Sequence, residues 1–154
     1  MPKGHFFKIY SAFRPQEEQI QLWNENYQKI KSENPTLSEE EITLKTRAVC
    51  ADPRNGFGGH QTGGAVDITL CNLQGKEYDM GTTYLETSSK IPTNSKGLTG
   101  KQRKNRALLK KVMEKAGFKN YPYEWWHYCY GDRMWAAYSC KKTCFYGMPK
   151  QNER

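Results

Sequence analysis

Residues 58–70 have the sequence GGHQTGGAVDITL, which combines four glycines, one histidine and one aspartate with a run of strand-forming residues. The alternating, β-branched pattern of residues 65–71 predicts a strand. Asp67 lies within it, and a carboxylate in such surroundings is costly to bury without a partner, such as a metal ion. The double glycine before the strand allows a tight turn, so we expect His60 to fold back toward Asp67. Taken alone, Asp67 is also compatible with a role in capping a turn.

The segment YEWWHYCY, residues 123–130, predicts a second strand and carries the other ionisable groups of interest. Glu124 and His127 lie between bulky aromatic residues, which exclude water and perturb pKa values. On a regular strand, residues three apart face opposite sides, so these two cannot both enter one pocket. Pro122 indicates that Glu124 sits at the entrance of the strand, where the geometry is freer. His127 is equally compatible with a hydrogen-bonded core histidine.

A catalytic zinc site needs three protein ligands, and the chain has three histidines from which to draw them. His5 lies close to the N-terminus, which leaves His60 and His127 as the candidates beside Asp67. Glu124 would then be the general base that takes a proton from the attacking water.

The remaining elements follow from periodicity and capping signals. FFKIY predicts a strand over residues 6–10, and Ser38 with Glu41 forms the signature of a capping box. We expect helices over 15–32, 38–48, 101–116 and 132–139, a glycine-rich loop over 50–63, and a long irregular excursion over 79–97. The first helix has an apolar stripe at helical spacing, and the third has a buried stripe: they consist of Ile20, Trp23, Tyr27 and Ile30, and of Leu108, Leu109, Val112 and Met113. No internal repeat or linker is evident. The sequence therefore predicts one α+β domain over residues 1–154, a small antiparallel sheet with flanking helices.

Composition narrows the possible partners. The net charge is +8, from 24 basic and 16 acidic residues, which would suit an anionic partner. Much of the excess lies in residues 96–119, where it is typical of the solvated face of a helix, and no nucleic-acid-binding module is recognised. No apolar run is long enough to span a membrane, and the chain as given shows no signal peptide. We therefore expect a cytoplasmic protein without nucleic-acid or membrane partners; the oligomeric state is left open.

Several segments together resemble one family. HQTGGAVDITL is similar to the H-x-x-G-x-A-x-D signature of the zinc D-alanyl-D-alanine dipeptidases and carboxypeptidases, which share their fold with the hedgehog signalling domain. YSAFRP resembles the S-x-[YF]-R-P segment of that family, and EWWHY resembles its E-x-W-H ending in the dipeptidase form. DMGTTY and NRALLKKVMEKAGF extend the similarity over nearly the whole chain, with the motifs in the family's order. The dipeptidases of the vancomycin-resistance type are the nearest in pattern.

The resemblance implies a function and a site. It implies one zinc ion per chain held by His60, Asp67 and His127, with Glu124 as the catalytic base and Arg14 stabilising the oxyanion. The implied reaction is hydrolysis of D-alanyl-D-alanine or a related cell-wall peptide that contains D-amino acids. The alternatives are a peptidoglycan D,D-carboxypeptidase or endopeptidase, and a non-catalytic module that contains zinc.

The chain departs from the family pattern at two positions. Gly58 stands where the family often has serine. Leu85 stands where the dipeptidases usually have an acidic residue that holds the free amine of the substrate, and Glu86 follows it. Either Glu86 takes over this role through a shifted loop, or the amine is not recognised and longer peptides are cleaved.

Overall fold

Four antiparallel strands form the sheet in the part of the chain that the computed structural model describes, residues 4–86 and 88–149. They are β1 (His5–Ser11), β2 (Ala65–Asn72), β3 (Lys119–Asn120) and β4 (His127–Cys129), in the spatial order β1-β2-β4-β3. The predicted α+β fold with a small antiparallel sheet and flanking helices is confirmed. Thr87 of the predicted excursion and the ends of the predicted domain, 1–3 and 150–154, lie outside the described residues.

The helices agree with the predicted ones to within a few residues. They are α1 (Gln16–Glu33), α2 (Glu39–Arg47), α3 (Gly100–Lys115) and α4 (Arg133–Tyr138). The predicted capping box of Ser38 and Glu41 opens α2, and Thr99 with Gln102 forms a second one at α3. Across the described ranges, no helix has both the length and the apolar character that crossing a bilayer requires.

The core lies between the sheet and α3. Leu109 and Met113 of α3 are buried against Ile68 and Leu70 of β2 and Tyr128 of β4. Of the buried stripe predicted for α3, Leu109 and Met113 are therefore confirmed, whereas Leu108 and Val112 are only half-buried.

The stripe predicted for α1 is partly wrong. Trp23 is buried, but Ile20 is 43% exposed and the polar Gln19 is buried in its place. The physical reason is that α1 packs against α2 and the 3-10 turn Pro53–Asn55, not across the sheet. Gln19 meets the loop that follows α2, where its side-chain amide donates to the carbonyl of Ala51 at 2.8 Å.

The second predicted strand, residues 123–130, is corrected to His127–Cys129. The segment before it folds into turns, in which the Glu124 amide donates to Tyr121 and the His127 amide donates to the Glu124 carbonyl at 3.4 Å. Asn120 of β3, a strand that sequence analysis missed, donates its side-chain amide to the carbonyls of Glu124 and His127, both at 3.0 Å. These bonds replace a strand ladder, so the alternation of faces no longer applies to Glu124 and His127.

The long connection between β2 and α3 is irregular, as predicted, and Arg106 of α3 holds it to the core. Arg106 is 1% exposed, and its Nε and Nη1 donate to the carbonyls of Met80 and Pro92, both at 2.7 Å. Its guanidinium also lies over the ring of Trp125, 5.7 Å from the centroid. No acidic side chain of the described residues forms an ion pair with it, and burial lowers its pKa to about 10. The buried guanidinium of Arg106 therefore links two distant points of this connection, Met80 and Pro92.

We expect Arg106→Met, which keeps the length of the side chain but removes its donors, to lower the free energy of unfolding by about 2–4 kcal/mol, because buried carbonyl acceptors lose their partners. The matched variant Lys104→Met, at an exposed position of the same helix, should change it by less than about 0.5 kcal/mol. Urea unfolding followed by tryptophan fluorescence measures both. Equal stabilities of the two variants would contradict this role.

Candidate metal centre

His60, Asp67 and His127, the three predicted ligands, lie together in the structure. Their ligand atoms all lie within 4.8 Å of one another, and all three residues are buried. Asp67 of β2 pairs directly with His127 of β4 in the sheet, so both side chains leave the same face. His60 reaches them from the 3-10 turn His60–Thr62, which ends where β2 begins.

The backbone fixes the tautomer of His60. Nδ1 of His60 donates to the carbonyl of Ala12 at 2.7 Å, so in the neutral ring Nε2 carries a lone pair. This Nε2 lies 3.2 Å from Nδ1 of His127 and 3.4 Å from Oδ2 of Asp67, and Nδ1 of His127 lies 3.0 Å from Oδ1 of Asp67. Of the two imidazoles, only His127 has a proton on the nitrogen that faces the cluster, and the other proton that reaches these atoms comes from the hydroxyl of Tyr84, which donates to Oδ2 of Asp67. The cluster thus has more converging lone pairs than protons, an arrangement that favours a cation.

The spacing of the two imidazole nitrogens fits a small tetrahedral ion. Zinc bonds to nitrogen and oxygen of about 2.0–2.1 Å place neighbouring donors about 3.3 Å apart in a tetrahedron. Nε2 of His60 and Nδ1 of His127 are 3.2 Å apart, close to that value, and the carboxylate of Asp67 presents Oδ1 to His127 at 3.0 Å and Oδ2 to His60 at 3.4 Å. Two imidazoles and one carboxylate also match the donor types that zinc takes in proteins. The residues present therefore fit the metal that the sequence predicts.

Electrostatics within the cluster favours an ionised aspartate. Burial alone would raise the pKa of Asp67, but the hydrogen bond from His127 and the neighbouring imidazole of His60 outweigh it and hold the pKa well below its usual range. Burial would likewise lower the pKa of His127, but the hydrogen bond to Asp67 and the charge of its carboxylate raise it. Nε2 of His127 is buried without a hydrogen-bond partner among the described residues. The chain therefore orients His127 through Nδ1 alone.

The glycines around His60 make the turn possible, as predicted. Gly63 adopts a φ of +72°, the left-handed conformation that glycine accepts without strain. At Gly64 a Cβ would lie 2.8 Å from the carbonyl oxygen of Tyr130, so a side chain does not fit there. The loop carrying His60 can therefore pack closely against the end of β4.

Glu124 lies at the open side of the cluster. Its Oε2 is 3.8 Å from Nδ1 of His127, and its side chain is 34% exposed, whereas that of Asp67 is 4% exposed. Burial raises the pKa of Glu124, and the charge of Asp67 adds to the effect, although the histidines oppose it. A carboxylate that is partly open to solvent and has a raised pKa is suited to accepting a proton.

Arg14 is tied to the same region through its backbone and its side chain. Its amide donates to the carbonyl of His60 at 3.1 Å. Its guanidinium donates through Nη1 to Oε1 of Gln19 at 2.9 Å and through Nη2 to Oγ of Ser11 at 3.2 Å. Sequence analysis did not single out Gln19, since one polar residue in a helix gives no signal of burial.

Tyr84 is a further residue of the site that sequence analysis missed. Its hydroxyl donates to Oδ2 of Asp67 at 2.9 Å. The DMGTTY segment resembles a family motif, but nothing local indicates that its tyrosine contacts Asp67.

Leu85 and Glu86, where the chain departs from the family pattern, directly follow Tyr84. Leu85 is 59% exposed with a φ of +61°, and Glu86 accepts hydrogen bonds from the amide and hydroxyl of Thr83 at 2.9 and 3.0 Å.

The sequence of this chain matches the model of a known protein family. Residues 1–146 match the sequence model of a peptidase family, Peptidase_M15, described as D-ala-D-ala dipeptidase. The D-alanyl-D-alanine dipeptidase of Synechocystis sp. is 40% identical over 88 residues, 50% of this chain and 36% of that protein. The D-alanyl-D-alanine dipeptidase of Escherichia coli (strain K12) is 27% identical over 125 residues, 78% of this chain and 52% of that protein. The chain thus matches between about a third and a half of the length of these relatives.

Solved structures share the fold. A variant of the vancomycin-resistance D,D-pentapeptidase VanY from a VanB-type resistance cassette, in complex with Zn(II), aligns with a TM-score of 0.53 and 19% identity, over 92% of this chain and 70% of that one. VanYB in complex with D-alanine-D-alanine aligns with a TM-score of 0.53 and 20% identity, over 92% and 69%.

We expect the protein to bind one divalent metal ion per chain through His60, Asp67 and His127. With zinc as the probe, His127→Ala should weaken binding by more than about 100-fold, because even the loss of a residue that only supports a ligand costs about 10–100-fold. The matched control is His5→Ala, since His5 lies in β1 outside the cluster. Competition with a chromogenic chelator measures the affinities, and equal values for the two variants would contradict this ligand set.

Proposed function

The chain belongs to the peptidase family described as D-ala-D-ala dipeptidase, and on this premise we propose that it is a zinc metallopeptidase that hydrolyses D-alanyl-D-alanine or a closely related cell-wall peptide. The observation that carries the proposal is the convergence of His60, Asp67 and His127 beside the carboxylate of Glu124. The names of the sequence relatives and the D-alanine-D-alanine complex of VanYB support this substrate class.

Zinc would be held by Nε2 of His60, Nδ1 of His127 and the carboxylate of Asp67. The zinc complex of the VanY variant and the donor set of two imidazoles and one carboxylate support this choice of metal. When bound, zinc lowers the pKa of water and polarises the carbonyl group of the substrate.

Glu124 would act as general base and then as general acid. Its carboxylate takes a proton from the attacking water and returns it to the amine that leaves when the peptide bond breaks. The position at the exposed side of the cluster leaves Glu124 accessible to water and substrate, and its raised pKa brings it closer to the pH at which it must exchange protons.

Arg14 would stabilise the negative charge that develops on the oxygen of the scissile carbonyl. A guanidinium stays ionised and offers several donors, so it can keep its bonds to Gln19 and Ser11 and still face an oxyanion. Gln19 is 3% exposed and also donates to the carbonyl of Ala51, so its own position is fixed. The charge of Arg14 would therefore already be in place before the substrate binds.

A D,D-carboxypeptidase is the second candidate, and residues 83–86 favour it. Leu85 offers no charge to a free substrate amine, and Oε2 of Glu86 accepts two hydrogen bonds from Thr83, which hold this carboxylate within its own loop. A site that does not recognise the amine would accept longer peptides that end in D-alanyl-D-alanine.

We expect Glu124→Gln to reduce the release of D-alanine from D-alanyl-D-alanine by at least about 10²–10⁴-fold, because the amide cannot accept the proton. Zinc content should stay at one ion per chain. Glu114→Gln, at an exposed position of α3, is the matched control and should retain full activity. Turnover retained by Glu124→Gln would refute its role as the base, and loss of zinc would mean that Glu124 supports the metal instead.

A pair of substrates separates the two candidate reactions. The dipeptidase proposal requires that kcat/KM for D-alanyl-D-alanine exceed that for an N-acetylated peptide ending in D-alanyl-D-alanine by at least about tenfold, a difference of about 1.4 kcal/mol in transition-state binding. Release of D-alanine from both is measured under the same conditions. The opposite order would favour the carboxypeptidase and would mean that the free amine is not recognised.

A further inference from the structure

The hydroxyl of Tyr84 contacts the carboxylate that completes the proposed metal site. It donates to Oδ2 of Asp67 at 2.9 Å, whereas Oδ1 of the same carboxylate lies 3.0 Å from Nδ1 of His127. Asp67 is 3% exposed, so water is not available to replace this bond. The carboxylate of Asp67 is thus held at both oxygens, Oδ2 by the hydroxyl of Tyr84 and Oδ1 by the imidazole of His127.

The ring of Tyr84 is held on two sides. It stacks on Tyr10 with the ring centroids 4.4 Å apart and the planes 9° apart. It also packs edge-on against Trp126, with centroids 5.6 Å apart and planes at 81°. The stacked ring and the perpendicular ring leave the phenol little freedom to turn its hydroxyl away from Asp67.

The backbone that carries Tyr84 is anchored as well. Nε1 of Trp125, directly after Glu124, donates to Oγ1 of Thr82 at 2.8 Å, two residues before Tyr84. Arg106 bonds the carbonyls of Met80 and Pro92 on either side of this part of the loop. The loop is therefore attached both to the core and to the segment that contains Glu124 and His127.

We propose that Tyr84 is a positioning residue of the metal centre, whose hydroxyl holds the Asp67 carboxylate in the orientation that faces His60 and His127. The inference rests on the proposed metal site. Partners of this kind, which hold a ligand without touching the metal, fix the direction of the ligand's lone pairs and commonly govern metal affinity. Removing the hydroxyl leaves one oxygen of a buried carboxylate without its donor, and the carboxylate is then free to rotate.

Tyr84→Phe and Tyr10→Phe form a matched pair for the test. Both substitutions remove one hydroxyl and keep the stacked rings, but the hydroxyl of Tyr10 donates to Glu77 and not to Asp67. We expect Tyr84→Phe to weaken zinc binding by about 10–100-fold and Tyr10→Phe to change it by less than about threefold. The affinities are measured by chelator competition, and the visible spectrum of the Co(II)-substituted protein reports the ligand geometry, which should change in Tyr84→Phe alone.

The outcomes separate this inference from the proposed function. Equal zinc affinities and equal cobalt spectra in Tyr84→Phe and wild type would overturn the role of Tyr84 while leaving the metal site intact. Loss of affinity confined to Tyr84→Phe would support it, even if no peptide tested is cleaved. A wild-type protein that binds no zinc would overturn both. Far-UV circular dichroism should show that both metal-free variants are folded; a Tyr84→Phe protein that is unfolded without metal would mean that the hydroxyl serves the fold and not the metal centre.

Discussion

Asp67 and His127 face each other across β2 and β4, and the direction of both side chains depends on that single register. A slip of one residue would turn one of them to the opposite face of the sheet, among the core residues that pack on α3. On its other side β2 pairs with β1, where Ser11 lies opposite Asp67 after an irregularity between Ile9 and Ser11. The central strand is thus held from both sides at the point where the site is built.

Hydrogen bonds to backbone carbonyls place His60, Arg14 and Glu124 beside Asp67 and His127. The carbonyl of Ala12 orients the ring of His60, and the carbonyl of His60 accepts from the amide of Arg14. Asn120 fixes the turn that presents Glu124. Such bonds connect the segments on which the candidate ligands, base and oxyanion donor lie, so the site is assembled by the same contacts that close the fold.

The cluster of His60, Asp67 and His127 brings together ionisable groups that are costly to bury. A deeply buried carboxylate, two imidazoles in contact and a second carboxylate at the rim compensate one another only in part. An ion that binds the folded chain and not the unfolded one stabilises the fold by mass action. The proposed chemistry and part of the stability of this region would then depend on the same ligand.

The sequence by itself predicted the strand at residues 65–71, the helices and the capping box of α2, because local propensity and periodicity decide these features. It also marked His60, Asp67 and His127 as candidate ligands, through the small number of histidines and the resemblance of their segments to family motifs. Tertiary structure decided the rest. Tertiary contacts limit the strand predicted over residues 123–130 to His127–Cys129. The side chain of Asn120 and backbone turns form the hydrogen bonds that a longer strand would have made to its neighbours. Tertiary structure also brought Tyr84 to Asp67 and buried Gln19 beside Arg14. These are contacts between residues distant in sequence or buried by packing, which local patterns do not encode.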